Sequence, residues 1–124
     1  MKHCVAILAF LLLGCSTLNA APPTIVSHRG IFLDGRTVLL EGFSFGLWPG
    51  NVVVGNSPIY SDCSVKVRQK IISWKNKSII ITIKQDVFRW GGIGYVFVVM
   101  PSWWFIPVIS SGPYAITFGV GAGE

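Results

Sequence analysis

The sequence predicts an all-β domain, a small meander or flattened β-sandwich of about seven or eight short strands. Turn signals rich in Gly and Pro recur at short intervals between runs of β-branched and aromatic residues, as is typical of all-β domains. Residues 65–71 alternate between mostly apolar and cationic side chains, and residues 114–120 alternate between large and small side chains. Such alternation indicates strands with one buried face.

The first predicted hairpin is centred on Asp34-Gly35. Residues 29–33 and 36–40 flank this pair as candidate strands. Asp-Gly favours a two-residue turn, because Gly tolerates a positive φ angle and Asp does so better than most residues. We therefore expect these two strands to pair directly on either side of the turn.

A second hairpin is predicted further along the chain. Residues 43–47 alternate between large apolar and small side chains. The sequence Trp48-Pro49-Gly50-Asn51 then has Pro and Gly in the order that a type II turn requires. We expect residues 52–54 to pair back onto the preceding segment.

The third predicted hairpin joins residues 65–71 to residues 79–83 through the loop Lys75-Asn76-Lys77, with a bulge. This loop length places Val67 and Ile71 on the same face as the isoleucines of the second strand, whereas a slip of one residue would bury the cations. The cations would then share the opposite face. A helix over residues 64–74 is the alternative, but the density of β-branched residues favours a strand.

The C-terminal third of the chain is uncharged from Trp90 to Gly123. Its length allows a membrane-spanning helix over residues 92–109 as one interpretation. Pro101 and Pro107 disfavour such a helix, because lipid offers no partner for the backbone groups that proline leaves unpaired. We therefore predict a buried strand over residues 95–100, an aromatic loop, and a last strand over residues 114–120.

The first fifteen residues are predicted to be an export signal. Lys2 provides a basic start, and the uncharged apolar run of residues 5–13 is too short to span a bilayer. The run ends in Leu12-Leu13-Gly14-Cys15, which resembles the lipobox of bacterial lipoproteins, where a small residue precedes the cysteine that becomes lipid-modified. The resemblance covers residues 1–15 and extends to no part of the chain beyond them.

The lipoprotein resemblance implies that residues 1–14 are removed and that Cys15 carries a covalent lipid, with palmitate among its acyl chains. No other cofactor is expected. Several acyl chains anchor firmly, because each buried methylene contributes about 0.8 kcal/mol. The residue that follows the cysteine is Ser16 and not Asp. In enteric lipoproteins this implies export to the outer membrane, facing the periplasm.

The domain organisation follows from this signal. Residues 15–23 would form the lipidated start and a short stiff tether, and residues 24–124 a single β domain. The alternative is ordinary secretion, in which signal peptidase cuts after Ala20 or Ala21 and Cys15 is discarded.

The composition favours a domain that lies close to a membrane or a partner. The chain is 52% hydrophobic, only 12% charged, and carries a net charge of +5. Soluble domains have about a quarter of their residues charged. Nucleic acid, the other usual partner of a basic patch, is not expected to meet an exported protein.

Two groups of side chains are candidates for contact with membrane lipid or an envelope membrane-protein complex: the cationic face of the third hairpin and the aromatic loop. They comprise Lys66, Arg68, Lys70, Lys84, Trp103, Trp104 and Phe105. Cations are attracted to anionic lipid, and Trp prefers the membrane–water interface. The alternatives are a solvated face for the cations and a cap on the β core for the aromatic rings.

Residues that could carry catalysis are few. His28 is the one histidine after the export signal, and the sequence has no motif for nucleophilic hydrolysis, phosphate binding or zinc. We predict no enzyme activity, no metal site and no small-molecule substrate. Cys63 is expected to be a buried small residue, the alternative being a bridge to another chain.

These observations predict a small membrane-anchored envelope lipoprotein with a non-catalytic structural or assembly role. The first alternative is a secreted β-rich binding module. The second is a small enzyme that uses His28, which rests on a single residue type and no motif.

Overall fold

The computed structural model describes residues 22–101, 109–119 and 121–122. Within them the fold is two antiparallel sheets, with strand orders β5-β6-β2-β1-β9 and β4-β3-β7-β8. The strands are β1 (Thr24–Ile31), β2 (Thr37–Phe43), β3 (Asn51–Gly55), β4 (Lys66–Arg68), β5 (Lys70–Trp74), β6 (Ser78–Thr82), β7 (Ile93–Val99), β8 (Tyr114–Thr117) and the two-residue β9 (Gly121–Ala122). The prediction of an all-β fold is confirmed.

The two sheets pack face to face around one hydrophobic core. Successive side chains of a strand point to opposite faces, so every second residue of the central strands enters this core. The inward residues are Val38, Leu40, Ile79 and Ile81 from the first sheet and Val52, Val54, Val96 and Val98 from the second. Phe45, Phe32 and Phe118 are fully buried in the same core and complete it beyond the strand ends.

The second sheet is also covered on its outer face. Val53, Phe97 and Val99 form a second buried cluster there, against which Tyr60 and Cys63 pack. The single turn of 3-10 helix over Tyr60–Asp62 positions these covering residues. Because β3 and β7 are buried on both faces, their apolar runs show no alternation, and the predicted buried strand over residues 95–100 is confirmed as β7.

The first hairpin turns where predicted but in a different register. Gly35 has a φ of 81°, and the Arg36 N–H donates to the Leu33 carbonyl at 2.9 Å. β1 ends at Ile31 and β2 begins at Thr37, so the loop between them is longer than two residues. The reason is Phe32, which turns into the core and is fully buried.

The second predicted hairpin is wrong. Ser44 has a φ of 62°, which ends β2 and breaks the alternation of residues 43–47. Gly50 does not have the positive φ of a type II turn. The chain instead crosses to the other sheet, where β3 pairs with β4 and β7.

The third hairpin is confirmed in its loop and its bulge. β5 ends at Trp74 and β6 begins at Ser78, which leaves residues 75–77 as the loop. The register shifts between Ile71 and Ser73. Ile71 lies opposite Ile81 and packs against the core on the same face as the isoleucines of β6, which is the face predicted.

The single strand predicted over residues 65–71 is wrong, because it breaks at Gln69, and the alternative helix is wrong as well. β4 belongs to the second sheet and places Val67 opposite Val54 of β3. Gln69 is 3% exposed, and its side-chain amide donates to the carbonyls of Val67 and Lys84. It also accepts a hydrogen bond from the Lys84 N–H at 2.7 Å, so a buried amide with satisfied polar atoms marks the crossing.

The last strand is shorter than predicted, since β8 ends at Thr117. Phe118 still points inward, but Gly119 has a φ of 84° and its N–H donates to the Phe32 carbonyl. The chain thereby returns to the first sheet, where β9 pairs with β1. Both lateral seams of the sandwich are therefore crossed by the chain itself, at Gln69 and at Gly119.

Candidate functional site

The two ends of the sandwich are defined by the strand registers. At the proximal end, the described chain begins, and Thr24 of β1 lies opposite Phe43 of β2. The loop of residues 44–50 and the turn of residues 75–77 meet there, since the Phe45 N–H donates to the Asn76 carbonyl at 2.9 Å. The distal end carries the loops of residues 32–36 and 85–92 and the turn at Phe118 and Gly119.

The proximal end also holds both described ends of the β7–β8 connection. The Met100 N–H donates to the Ile109 carbonyl at 2.8 Å, and Val99 lies opposite Asn51, the first residue of β3. Trp103, Trp104 and Phe105 fall between these described ends in the sequence and lie outside the described residues, as does Cys15. The predicted roles of these four residues remain predictions.

Large apolar side chains project into solvent at the proximal end. Leu47 is 83% exposed, Trp48 is 73% exposed and Phe43 is 55% exposed. The loop that carries the first two is fastened to the body of the domain. The Trp74 Nε1–H donates to the Phe45 and Gly46 carbonyls at 3.2 and 3.1 Å, which holds the backbone directly before Leu47.

Two lysines border these apolar side chains. Lys75 and Lys77 are exposed in the turn between β5 and β6. Lys77 lines a shallow depression of about 290 Å³ together with Val26 and Phe43. Glu41 also lines it, but its carboxylate pairs with Arg29 at 3.3 Å, the one ion pair within the described ranges.

The four predicted cations do not share one face. Lys66 and Arg68 lie on β4 of the second sheet, whereas Lys70 lies on β5 of the first, so the predicted cationic face is wrong. The Lys66 Nζ atom sits 4.4 Å from the centre of the Tyr60 ring, a cation–π contact. Gln69 holds the backbone of Lys84 close to the same seam.

Two of these cations lie at strand ends away from the proximal end. Lys66 is opposite Gly55, the last residue of β3, and Lys70 is opposite Thr82, the last residue of β6. Their side chains are exposed and available to a partner that approaches from that side.

His28 links the two sheets. Its Nδ1 lies 2.7 Å from the Tyr114 hydroxyl, and the Phe32 ring meets it edge-to-face at 5.1 Å. Burial lowers the pKa of His28 and raises the pKa of Tyr114, because both charged forms lose solvation. The pair joins β1 to β8, and burial favours the neutral form of each group.

Cys63 packs as a small residue in the outer cluster of the second sheet. Its thiol lies against Gly55 and donates to the Ser57 carbonyl at 3.3 Å, and the side chain is half-buried. No group of three or more His, Cys, Asp or Glu residues with metal-binding geometry occurs in the described ranges. Within those ranges, too, no helix has the length and apolar character needed to cross a membrane.

The exposed proximal residues were not predicted as a site, although the sequence contains a signal for them. The alternation of residues 43–47 predicts a strand that includes Phe43 and Leu47, and the third hairpin predicts a loop that includes the two lysines. Turns are normally polar, so an adjacent Leu47 and Trp48 before a Pro-Gly pair indicate an exposed apolar loop.

The comparisons add no relative. The chain matches no protein-family model and no curated protein.

Proposed function

We propose that this chain is a small membrane-anchored lipoprotein of the bacterial cell envelope, with a non-catalytic structural or assembly role. A lipid on Cys15 would hold the domain at the membrane. The membrane surface that we propose is the periplasmic face of the outer membrane. The observation that carries the proposal is the placement of exposed Phe43, Leu47 and Trp48 at the end where the described chain begins.

The length of the intervening chain supports the same arrangement. Pro22 follows Cys15 by seven positions, and an extended chain of seven residue steps reaches at most about 25 Å. A lipid at Cys15 would keep the proximal end within that distance of the bilayer. The distal cations, Lys66 and Lys70 among them, would then face away from the anchor, toward an envelope membrane-protein partner.

Metabolic labelling with a palmitate analogue tests the anchor. The wild-type protein is expected to incorporate the label, Cys15→Ala to lose it, and the matched Cys63→Ala variant to keep it. Label that persists in Cys15→Ala, or that is missing from the wild type, would overturn lipidation at this residue.

Intact-mass spectrometry of the same preparations distinguishes the alternative. A mature chain that begins at Cys15 and carries acyl mass supports the lipoprotein. A chain that begins at Ala21 or Pro22 without acyl mass instead supports a secreted binding module cut after Ala20 or Ala21.

A further inference from the structure

We infer that the proximal end is a lipid-contacting rim, in which Phe43, Leu47 and Trp48 enter the headgroup region of an anionic bilayer and Lys75 and Lys77 contact its headgroups. The inference rests on the proposed function for the orientation of the domain. It names a surface that was not predicted from the sequence.

The first argument is the fixed exposure of the apolar side chains. The backbone before Leu47 is held by the Trp74 indole and by the Asn76 side chain, whose Oδ1 accepts the Gly46 N–H at 2.9 Å. Leu47 and Trp48 are thus presented by a supported loop. A rim that is already ordered loses little conformational entropy when it meets a surface.

The second argument is the combination of side-chain types. Trp is favoured at the membrane–water interface, where its ring is apolar and its N–H reaches water. Lys75 and Lys77 flank the rim, and in the described ranges neither forms an ion pair with an acidic residue. Cations beside interfacial aromatics suit a negatively charged lipid surface.

The third argument is where the rest of the chain joins the domain. The 21 residues upstream of Pro22 connect to β1 at this end, beside Phe43. A lipid on Cys15 would therefore bring this rim, and not the distal end, to the bilayer.

The distal end provides a matched comparison. Trp90 is 70% exposed there, in the same loop as Val87, but its indole lies over the backbone of Gly119, where an added Cβ would come within 2.3 Å of Nε1. Asp86 and Arg89 lie in the same loop, so cationic and acidic groups are mixed. This end has cations as well, Lys66 and Lys70 among them, but acidic groups are mixed with them, and it lacks the connection to the N-terminal chain.

The test measures quenching of tryptophan fluorescence by brominated lipids in phosphatidylglycerol-rich vesicles that carry the mature full-length protein. Trp48→Phe is expected to reduce the quenched fraction, because it removes a fluorophore in contact with lipid. The matched Trp90→Phe variant is expected not to reduce it. Quenching that is unchanged by Trp48→Phe, or that falls with Trp90→Phe, overturns the inference.

The lysines are tested in the same assay. Lys75→Gln/Lys77→Gln is expected to shift the docking equilibrium by about thirtyfold toward the undocked state on anionic vesicles, and little on phosphatidylcholine vesicles. The matched Lys66→Gln/Lys70→Gln pair, at strand ends away from the rim, is expected to leave docking unchanged. Equal effects of the two pairs of substitutions would show that Lys75 and Lys77 are not part of the rim.

Failure of the anchor and failure of the rim give different results. An acylated protein whose quenching does not depend on Trp48 retains the anchor and overturns the rim. A protein without acyl mass that is added to vesicles and shows Trp48-dependent quenching retains the rim and overturns the anchor. A folded protein whose tryptophan fluorescence is not quenched by brominated lipids in any vesicle would overturn the rim and favour a protein partner for this surface.

Discussion

The proximal and distal ends of the sandwich are completed in different ways. At the distal end aromatic rings fill the core opening: Phe118 stacks on Phe88 with centroids 5.0 Å apart and meets Phe32 edge-to-face at 6.4 Å. At the proximal end Phe45 fills the core, and hydrogen bonds from Trp74 hold the loop above it. Leu47 and Trp48 are not part of the core and project into solvent.

The difference shows that an exposed tryptophan by itself says little about binding. Trp90 and Trp48 have similar exposed fractions, yet Trp90 covers a glycine backbone and Trp48 extends from a fastened loop beside two lysines. The surroundings of the ring, and the place where the chain joins, separate a side chain that covers the fold from one that is offered to a surface.

The largest expected effect is at the distal aromatic cluster. Phe118→Ala removes a fully buried ring that contacts Phe32 and Phe88, and it should lower the free energy of unfolding by about 3–5 kcal/mol. Denaturant unfolding measures the loss. Phe118→Leu keeps most of the apolar volume and should lose less. A loss below about 1 kcal/mol for the alanine variant would contradict the proposed packing of this end.

A smaller effect is expected at the proximal loop. Trp74→Phe keeps an aromatic ring beside Phe45 but deletes the N–H that bonds to two carbonyls, so we expect a loss of about 1–3 kcal/mol. Hydrogen exchange should quicken at Gly46, whose N–H lies in this loop. Unchanged exchange there, with the same loss of stability, would mean that the ring packing and not the hydrogen bonds holds the loop.

The seam between β1 and β8 should make stability depend on pH. Burial holds the pKa of His28 below its ordinary value of 6.5, so the unfolded chain binds the proton more tightly. The free energy of unfolding should therefore be greatest above pH 6.5 and fall as the pH drops below it. His28→Gln should abolish this component, and Tyr114→Phe should retain it, because burial is its cause. A pH dependence that survives His28→Gln belongs to another group.

The smallest effect is expected on the outer face of the first sheet. Arg29→Gln breaks the one described ion pair, whose side chains are both solvent-exposed, and should change the free energy of unfolding by less than about 1 kcal/mol. High salt should mask the change. A larger, salt-insensitive loss would show that Arg29 packs on the sheet through its apolar stem.

Local patterns predicted several elements because the information needed lies within a few residues. The loop at residues 75–77 and the face that Ile71 shares with the isoleucines of β6 follow from side-chain alternation and loop length. The buried strand β7 follows from its apolar run. The Asp34-Gly35 turn was predicted, but its register was not, since Phe32 leaves the strand to enter a core that forms only when both sheets are present.

Sheet membership and the proximal surface could not be predicted in the same way. The assignment of β3 and β4 to the second sheet depends on distant partners, and only the buried Gln69 marks the crossing. Leu47 and Trp48 are exposed because Phe45, and not they, fills the core. Whether a particular apolar residue is buried depends on which other side chains occupy the core in the folded structure.

The sequence by itself determined that this protein is built from short strands, where several of its turns fall, and which faces of the alternating strands are apolar. Tertiary structure alone decided which strands pair, that β3 and β7 are buried on both faces, and which aromatic residues remain in solvent. The physical reason is that turn conformations and side-chain alternation are local properties of the chain. Strand pairing and burial are instead settled by contacts between residues that are far apart in sequence.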